Sequence, residues 1–133
     1  MNSAQLMQDL AGFLFGDVPM MKYLLLAIVL DLILGFVKGV KTSSMKSTFA
    51  HLGFTKKFSY FGVIIVANII SQLSDGSAWF SGATVVFLIA YELVSITENA
   101  ALLGAPVPNF ITDRLAVMKD TPVDKDGKIK TEK

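Results

Sequence analysis

Positions 18–37 read VPMMKYLLLAIVLDLILGFV, twenty residues with two charges, Lys22 near one end and Asp31 inside. A helix needs about 20 predominantly apolar residues to cross a bilayer, within a range of about 17–25. Two further runs follow. Positions 58–73 (FSYFGVIIVANIISQL) carry no charge, and positions 79–97 (WFSGATVVFLIAYELVSIT) carry only Glu92. The middle run reaches spanning length only if it starts near Leu52 or Phe54, with Lys56 and Lys57 snorkelling to the interface. Three segments apolar around most of their circumference are hard to hide inside one small soluble domain.

Composition agrees. The chain has 133 residues, 53% of them hydrophobic and 17% charged, with a mean hydropathy of +0.56. That is more apolar and less charged than an average soluble domain. A net charge of +1 provides no field for nucleic acid, and the absence of cysteine removes disulfides, thiolate metal sites and thiol catalysis. Nothing basic precedes Lys22 and no small-x-small cleavage pattern follows, so the first span reads as an uncleaved insertion signal.

Flanking charge sets an orientation. Before the first span lie Asp9 and Asp17 without a basic residue, whereas the connection from 38 to 57 holds Lys38, Lys41, Lys46, Lys56 and Lys57 without an acid. The next connection, residues 74–78, carries only Asp75, and the remaining chain is rich in lysine. The positive-inside rule then predicts N-terminus out and C-terminus in. The expected fold is an all-α integral membrane protein with spans at about 18–38, 54–73 and 79–97, together forming a membrane domain over residues 18–99. Residues 1–17 are expected to hold an amphipathic helix, with Leu6, Leu10, Phe13 and Leu14 at helical spacing. It either lies on the outer leaflet or packs on the bundle. Residues 100–120 form a proline-containing cytoplasmic segment with a short helix from 110 to 118, and residues 121–133 a disordered charged tail.

No catalytic constellation is visible, so the chain reads as non-enzymatic. His51 falls in a basic loop without a metal-ligand partner. The Asp124–Gly127 run (DKDG) resembles the opening of a calcium loop but lacks its remaining ligands. No cofactor, metal or nucleic-acid partner is expected; the partner is the lipid bilayer. The informative residues are polar ones inside the spans. Asp31 lies twelve residues after Pro19 and Glu92 thirteen after Trp79, which puts both about 18–20 Å deep if those residues mark one interface. An ionised acid facing lipid costs at least about 2.5–3.5 kcal/mol, so each should meet another helix, a polar partner or water. Ala27, Asp31, Gly35 and Gly39 form one stripe, with Gly35 and Gly39 spaced for close helix packing. Asn68, Ser71 and Gln72 share a face of the second span, and Glu92, Ser95 and Asn99 a face of the third. These stripes are either interhelical contacts within a subunit or the lining of a pore shared by many copies; spacing alone does not separate the two.

Positions 91–110 read YELVSITENAALLGAPVPNF. The block Tyr91-Glu92, Ser95-Ile96, Glu98-Asn99, Gly104, Pro106, Pro108, Phe110 resembles the signature of the toxin-secretion and phage-lysis holin family of phages of Gram-positive bacteria. Upstream, Asp31 with Gly35, then Lys41, Ser43-Ser44, Gly53 and Lys56-Lys57 are similar too, so the likeness covers roughly residues 20–115. The resemblance implies a holin. Such a protein accumulates in the host cytoplasmic membrane, oligomerises and permeabilises it, and lets a muralytic endolysin or toxin escape. Asp31, Asn68, Glu92 and Ser95 are the expected polar or lumen residues, and Gly35 and Gly39 the packing sites. The motif residues Glu98, Asn99, Gly104, Pro106 and Pro108 are expected only to shape the exit of the third helix, with Asn99 and Gly104 ending it. Two rival readings are a small ion channel or transporter subunit using Asp31 and Glu92 as a relay, and an antiholin or membrane scaffold that never opens.

Overall fold

A computed structural model describes residues 2–16, 18, 20–43, 47–74 and 78–119, with the side chains of 47–52 and 115–119 excepted. Asp17, Pro19, Lys46, Asp75 and the tail from 120 onward, each used above, lie outside the described residues. Five helices follow in order: α1 (Ser3–Phe15), α2 (Met21–Lys41), α3 (Ser47–Ser74), α4 (Trp79–Leu102) and α5 (Asn109–Lys119). Among the described residues there is no strand. Helices over Met21–Lys41, Gly53–Ser74 and Trp79–Leu102 are long and apolar enough to cross a membrane.

The helices outrun the apolar windows at their lysine-bearing ends. The α2 helix continues to Lys41 rather than stopping near 38, and α3 starts at Ser47, which places His51 on a helix rather than in a loop. Helix ends do not have to coincide with hydropathy limits. Lys38 and Lys41 in the last turn of α2 interact favourably with its dipole. Both the amide and the hydroxyl of Thr42 donate to Lys38 O, at 2.9 Å each. The α4 helix runs past Asn99 to Leu102 and ends in a Schellman turn: Gly104 (φ +95°) donates to Ala101 O and Ala105 to Ala100 O, both at 3.0 Å. Glycine is needed at 104 because its φ lies in the left-handed region. Pro106 and Pro108 then occupy a non-helical stretch before α5.

Side-chain contacts fix the topology. Lys38 meets Asn99 and Lys41 meets Leu103, so α2 and α4 run parallel; Lys57 meets Glu92 and Ser71 meets Ser81, so α3 runs antiparallel to α4. The α4 helix is central, packing most extensively on α2 and next on α3, while α2 and α3 touch little. At the end near the α3–α4 connection, Leu24, Ile28, Ile64, Val85 and Leu88 form a small apolar core with Val18 and Tyr60. The α1 helix is capped by Asn2, whose Oδ1 accepts from Gln5 N at 2.8 Å. It docks through its C-terminal turn: Phe15 packs edge-on against Phe61, and Asn68 Nδ2 donates to the carbonyls of Phe13 and Leu14. Leu6, Met7, Leu10 and Phe13 of α1 stay exposed.

Burial runs opposite to that of a soluble bundle. Large apolar side chains including Leu26, Val29, Ile33, Phe36, Val66, Ile69 and Phe87 face outward, whereas Asp31, Lys57, Asn68, Ser71, Ser81, Glu92 and Asn99 are buried. Water would favour the reverse; hydrocarbon favours this arrangement.

Candidate functional site: a buried ion network

Beyond the apolar core, each helix changes character: within one turn Ile28 gives way to Asp31 and Leu88 to Glu92, and one turn past Tyr60, at the edge of the core, lies Lys57. These residues meet at the centre of the three helices. The Lys57 ammonium lies 2.8 Å from Asp31 Oδ2 and 2.5 Å from Glu92 Oε2. Tyr60 donates to Glu92 Oε1 at 2.8 Å, and Asn99 Nδ2 donates to Asp31 Oδ1 at 3.0 Å. Asn99 Oδ1 in turn accepts from Lys38 Nζ at 2.7 Å. The chain of contacts therefore runs Lys38, Asn99, Asp31, Lys57, Glu92, Tyr60.

Two carboxylates surround one cation, and that cation is the subunit's own lysine. With Lys38 joined through the Asn99 amide, two positive charges face two negative ones, and the cluster is neutral with all four ionised. Glu92 is fully buried and the other members of the central triad nearly so. Among the described residues, every buried side-chain polar atom has a hydrogen-bond partner. That matters because an unpaired polar group in a low-dielectric interior costs far more than a paired one contributes.

Local sequence explains each placement. Asp31 and Gly35 are one turn apart on α2. Gly35 faces the Asn99 amide, where a Cβ would lie at ordinary contact distance, 3.9 Å from Asn99 Nδ2. Lys57 and Tyr60, three apart on α3, lie on one face and aim at the same glutamate. Glu92 and Asn99, seven apart, are on one stripe of α4 and each holds one side of the cluster.

The residues singled out by sequence divide. Asp31 and Glu92 come together around Lys57. Asn68 stands apart from them, holding the end of α1, and its Oδ1 is so close to Gly16 that a Cβ there would meet it at 2.8 Å. Ser95 and Gly39 are half-buried on their helices, and Glu98, Pro106 and Pro108 are exposed. Asn99 bridges Lys38 and Asp31 within the helix instead of ending it. Lys57 is buried between the two acids rather than snorkelling, because two carboxylates attract its ammonium inward more strongly than the interface draws it out. Lys56, its neighbour, faces outward over the Tyr91 ring, 4.3 Å from the centroid, and donates to the Tyr91 hydroxyl. Sequence reasoning missed Lys57, Tyr60 and Lys38 as network members. A usable signal existed: two acids deep in parallel spans require a cation, and a lysine inside the intervening span is the nearest source.

Comparison with known proteins agrees with this architecture. A bacteriophage holin family model matches residues 9–120. A protein described as a probable holin, from Bacillus phage phi105, is 39% identical over 96% of this chain and 90% of its own length. An uncharacterised protein of Bacillus subtilis, YqxH, is 36% identical over 84% of this chain and 81% of its own. One of Clostridium perfringens, CPE0383, is 38% identical over 77% and 78%. No solved structure matches the chain. Three apolar spanning helices wrapped around a satisfied polar centre, together with these matches, identify a multi-pass membrane protein that belongs to the bacteriophage holin family.

Proposed function

We propose that the chain acts as a holin in the cytoplasmic membrane of a bacterial host. Copies accumulate there, associate as homo-oligomers and open lesions through which a muralytic endolysin or a secreted toxin escapes, ending in host lysis. The observation that carries this reading is the inverted subunit, apolar outside and charged inside. Such a subunit is inert in lipid while its polar groups satisfy one another, and it holds enough polar surface on α2, α3 and α4 to line water when copies reorganise. Asp31, Glu92 and Ser95 are the side chains that would turn toward a lumen, with Gly35 and Gly39 permitting close helix approach. The protein works by assembly, without an enzymatic step.

Orientation follows from the same physics. Lys38, Lys41 and Lys56 lie at one end of the spans, which supports that end facing the cytoplasm, with the N-terminus outside. The exposed Leu6, Met7, Leu10 and Phe13 then rest α1 against the outer leaflet.

The test is induced expression in a Gram-positive host, following entry of a membrane-impermeant DNA dye and release of a cytosolic muralytic enzyme. The expected outcome is abrupt, all-or-none dye entry and enzyme release after a delay. Continued growth with only a small ion leak would overturn the reading in favour of a channel subunit.

A further inference from the structure

The polar network has a keystone. Among the described residues, Lys57 is the side chain that contacts acids on both other spans, Asp31 of α2 and Glu92 of α4. The remaining polar ties divide unevenly. Helices α2 and α4 are joined directly, by Asn99 to Asp31, Lys38 to Asn99 and Lys41 to the Leu103 carbonyl. Helix α3 touches α2 little and is held to the pair by Lys57 and Tyr60 at the centre, by Ser71 near the connection, and by Lys56, whose exposed ammonium reaches Tyr91 of α4 alone.

We propose that the Lys57 bridge is the lock of the closed subunit: it holds α3 against the α2–α4 pair and keeps both carboxylates from water until copies assemble. This deepens the holin reading and rests on it for the lysis readout. The thermodynamic argument compares two states of the same charges. In the closed subunit, Asp31 and Glu92 are buried, and Lys57 lies between them as the partner of both. In an assembly surrounding water, hydration replaces the lysine as their partner. Removing the ammonium therefore raises the free energy of the closed state much more than that of the hydrated one, and the equilibrium moves toward assembly. A contact that only holds the fold together predicts the opposite: its loss lowers the amount of competent protein and delays or abolishes lysis.

Three variants test the lock in the full chain at matched membrane accumulation: Lys57→Met, Lys57→Glu, and the exchange Lys57→Glu with Glu92→Lys. The exchange keeps the charge count and supplies the central cation from α4. Lys57→Met and Lys57→Glu are expected to shorten the delay before dye entry several-fold, and the exchange to return it close to that of the parent. Triggering of Lys57→Met at the parental time, later, or never overturns the proposal. So does an exchange variant no closer to the parent than Lys57→Glu alone. If Lys57→Met does not accumulate, the exchange decides: parental timing supports the lock, and altered timing or failure to accumulate overturns it.

A second measurement separates failure of the lock from failure of the holin reading. Purified parent and Lys57→Met chains are crosslinked in phosphatidylglycerol–phosphatidylethanolamine vesicles. The variant is expected to form higher oligomers at several-fold lower protein-to-lipid ratio. Equal or weaker oligomerisation overturns the lock, even if the parent chain releases no enzyme in cells.

Discussion

The two halves of the bundle are held by different forces. Near the α3–α4 connection, Leu24, Ile64 and Val85 pack with almost no exposure, and their contact is dispersion between close-packed atoms. Two turns further on, Lys57, Asp31 and Glu92 replace them, and the contact is directional and charged. In water the apolar half would dominate stability. In lipid it has little hydrophobic advantage, since acyl chains are as apolar as leucine, and packing alone remains. The charged half has no comparable substitute in hydrocarbon. Specificity of the three-helix arrangement therefore resides in the ions, and the apolar half fills space beside them.

The sharpest way to break this contrast is to remove the cation. Lys57→Leu, unfolded in detergent micelles and followed by circular dichroism, is expected to lose about 3–5 kcal/mol, the cost of breaking a buried pair by deleting one partner. Leu24→Ala probes the other half. Its loss should be about 2 kcal/mol, at the low end for a buried leucine, because only packing and a cavity are at stake. A larger loss for Leu24→Ala than for Lys57→Leu would reverse the assignment of the two halves. Lys56→Ala sharpens the comparison from within one dipeptide. Its exposed contact with Tyr91 should change stability by less than about 1 kcal/mol, as screened surface interactions do.

Much of this architecture was legible because membrane spans announce themselves by composition. The three apolar runs located α2, α3 and α4, and Asp31 and Glu92 stood out as acids that had to be satisfied. What the sequence hid was the partner. Lys57 sits at the margin of its apolar run, where lysine ordinarily reaches for the interface, and no periodicity along one helix reveals a cation shared with two others. Tyr60 was hidden for a different reason, since an aromatic residue in an apolar run reads as bulk and its hydroxyl carries no pattern. Asn99 was read as a terminator because glycine and proline follow it. Helical hydrogen bonding nevertheless persists until Gly104, where a left-handed φ becomes necessary. Asn68 belonged to a polar stripe whose use could not be read: it closes the end of α1, a helix separated from it by more than fifty residues.

The order of charges along the chain has a consequence for biosynthesis. A ribosome delivers Asp31 first, then Lys57, then Glu92. The first span enters the membrane carrying an acid with no counterpart yet made, and the second brings the cation that neutralises it. When the third span arrives, its glutamate takes the other side of Lys57 and its Asn99 reaches Asp31, so the helix that packs on both others is also the one that completes the network. Nascent chains halted before α4 lack both Glu92 and Asn99, and the finished network is reached only when the last span brings its acid and its amide to the centre.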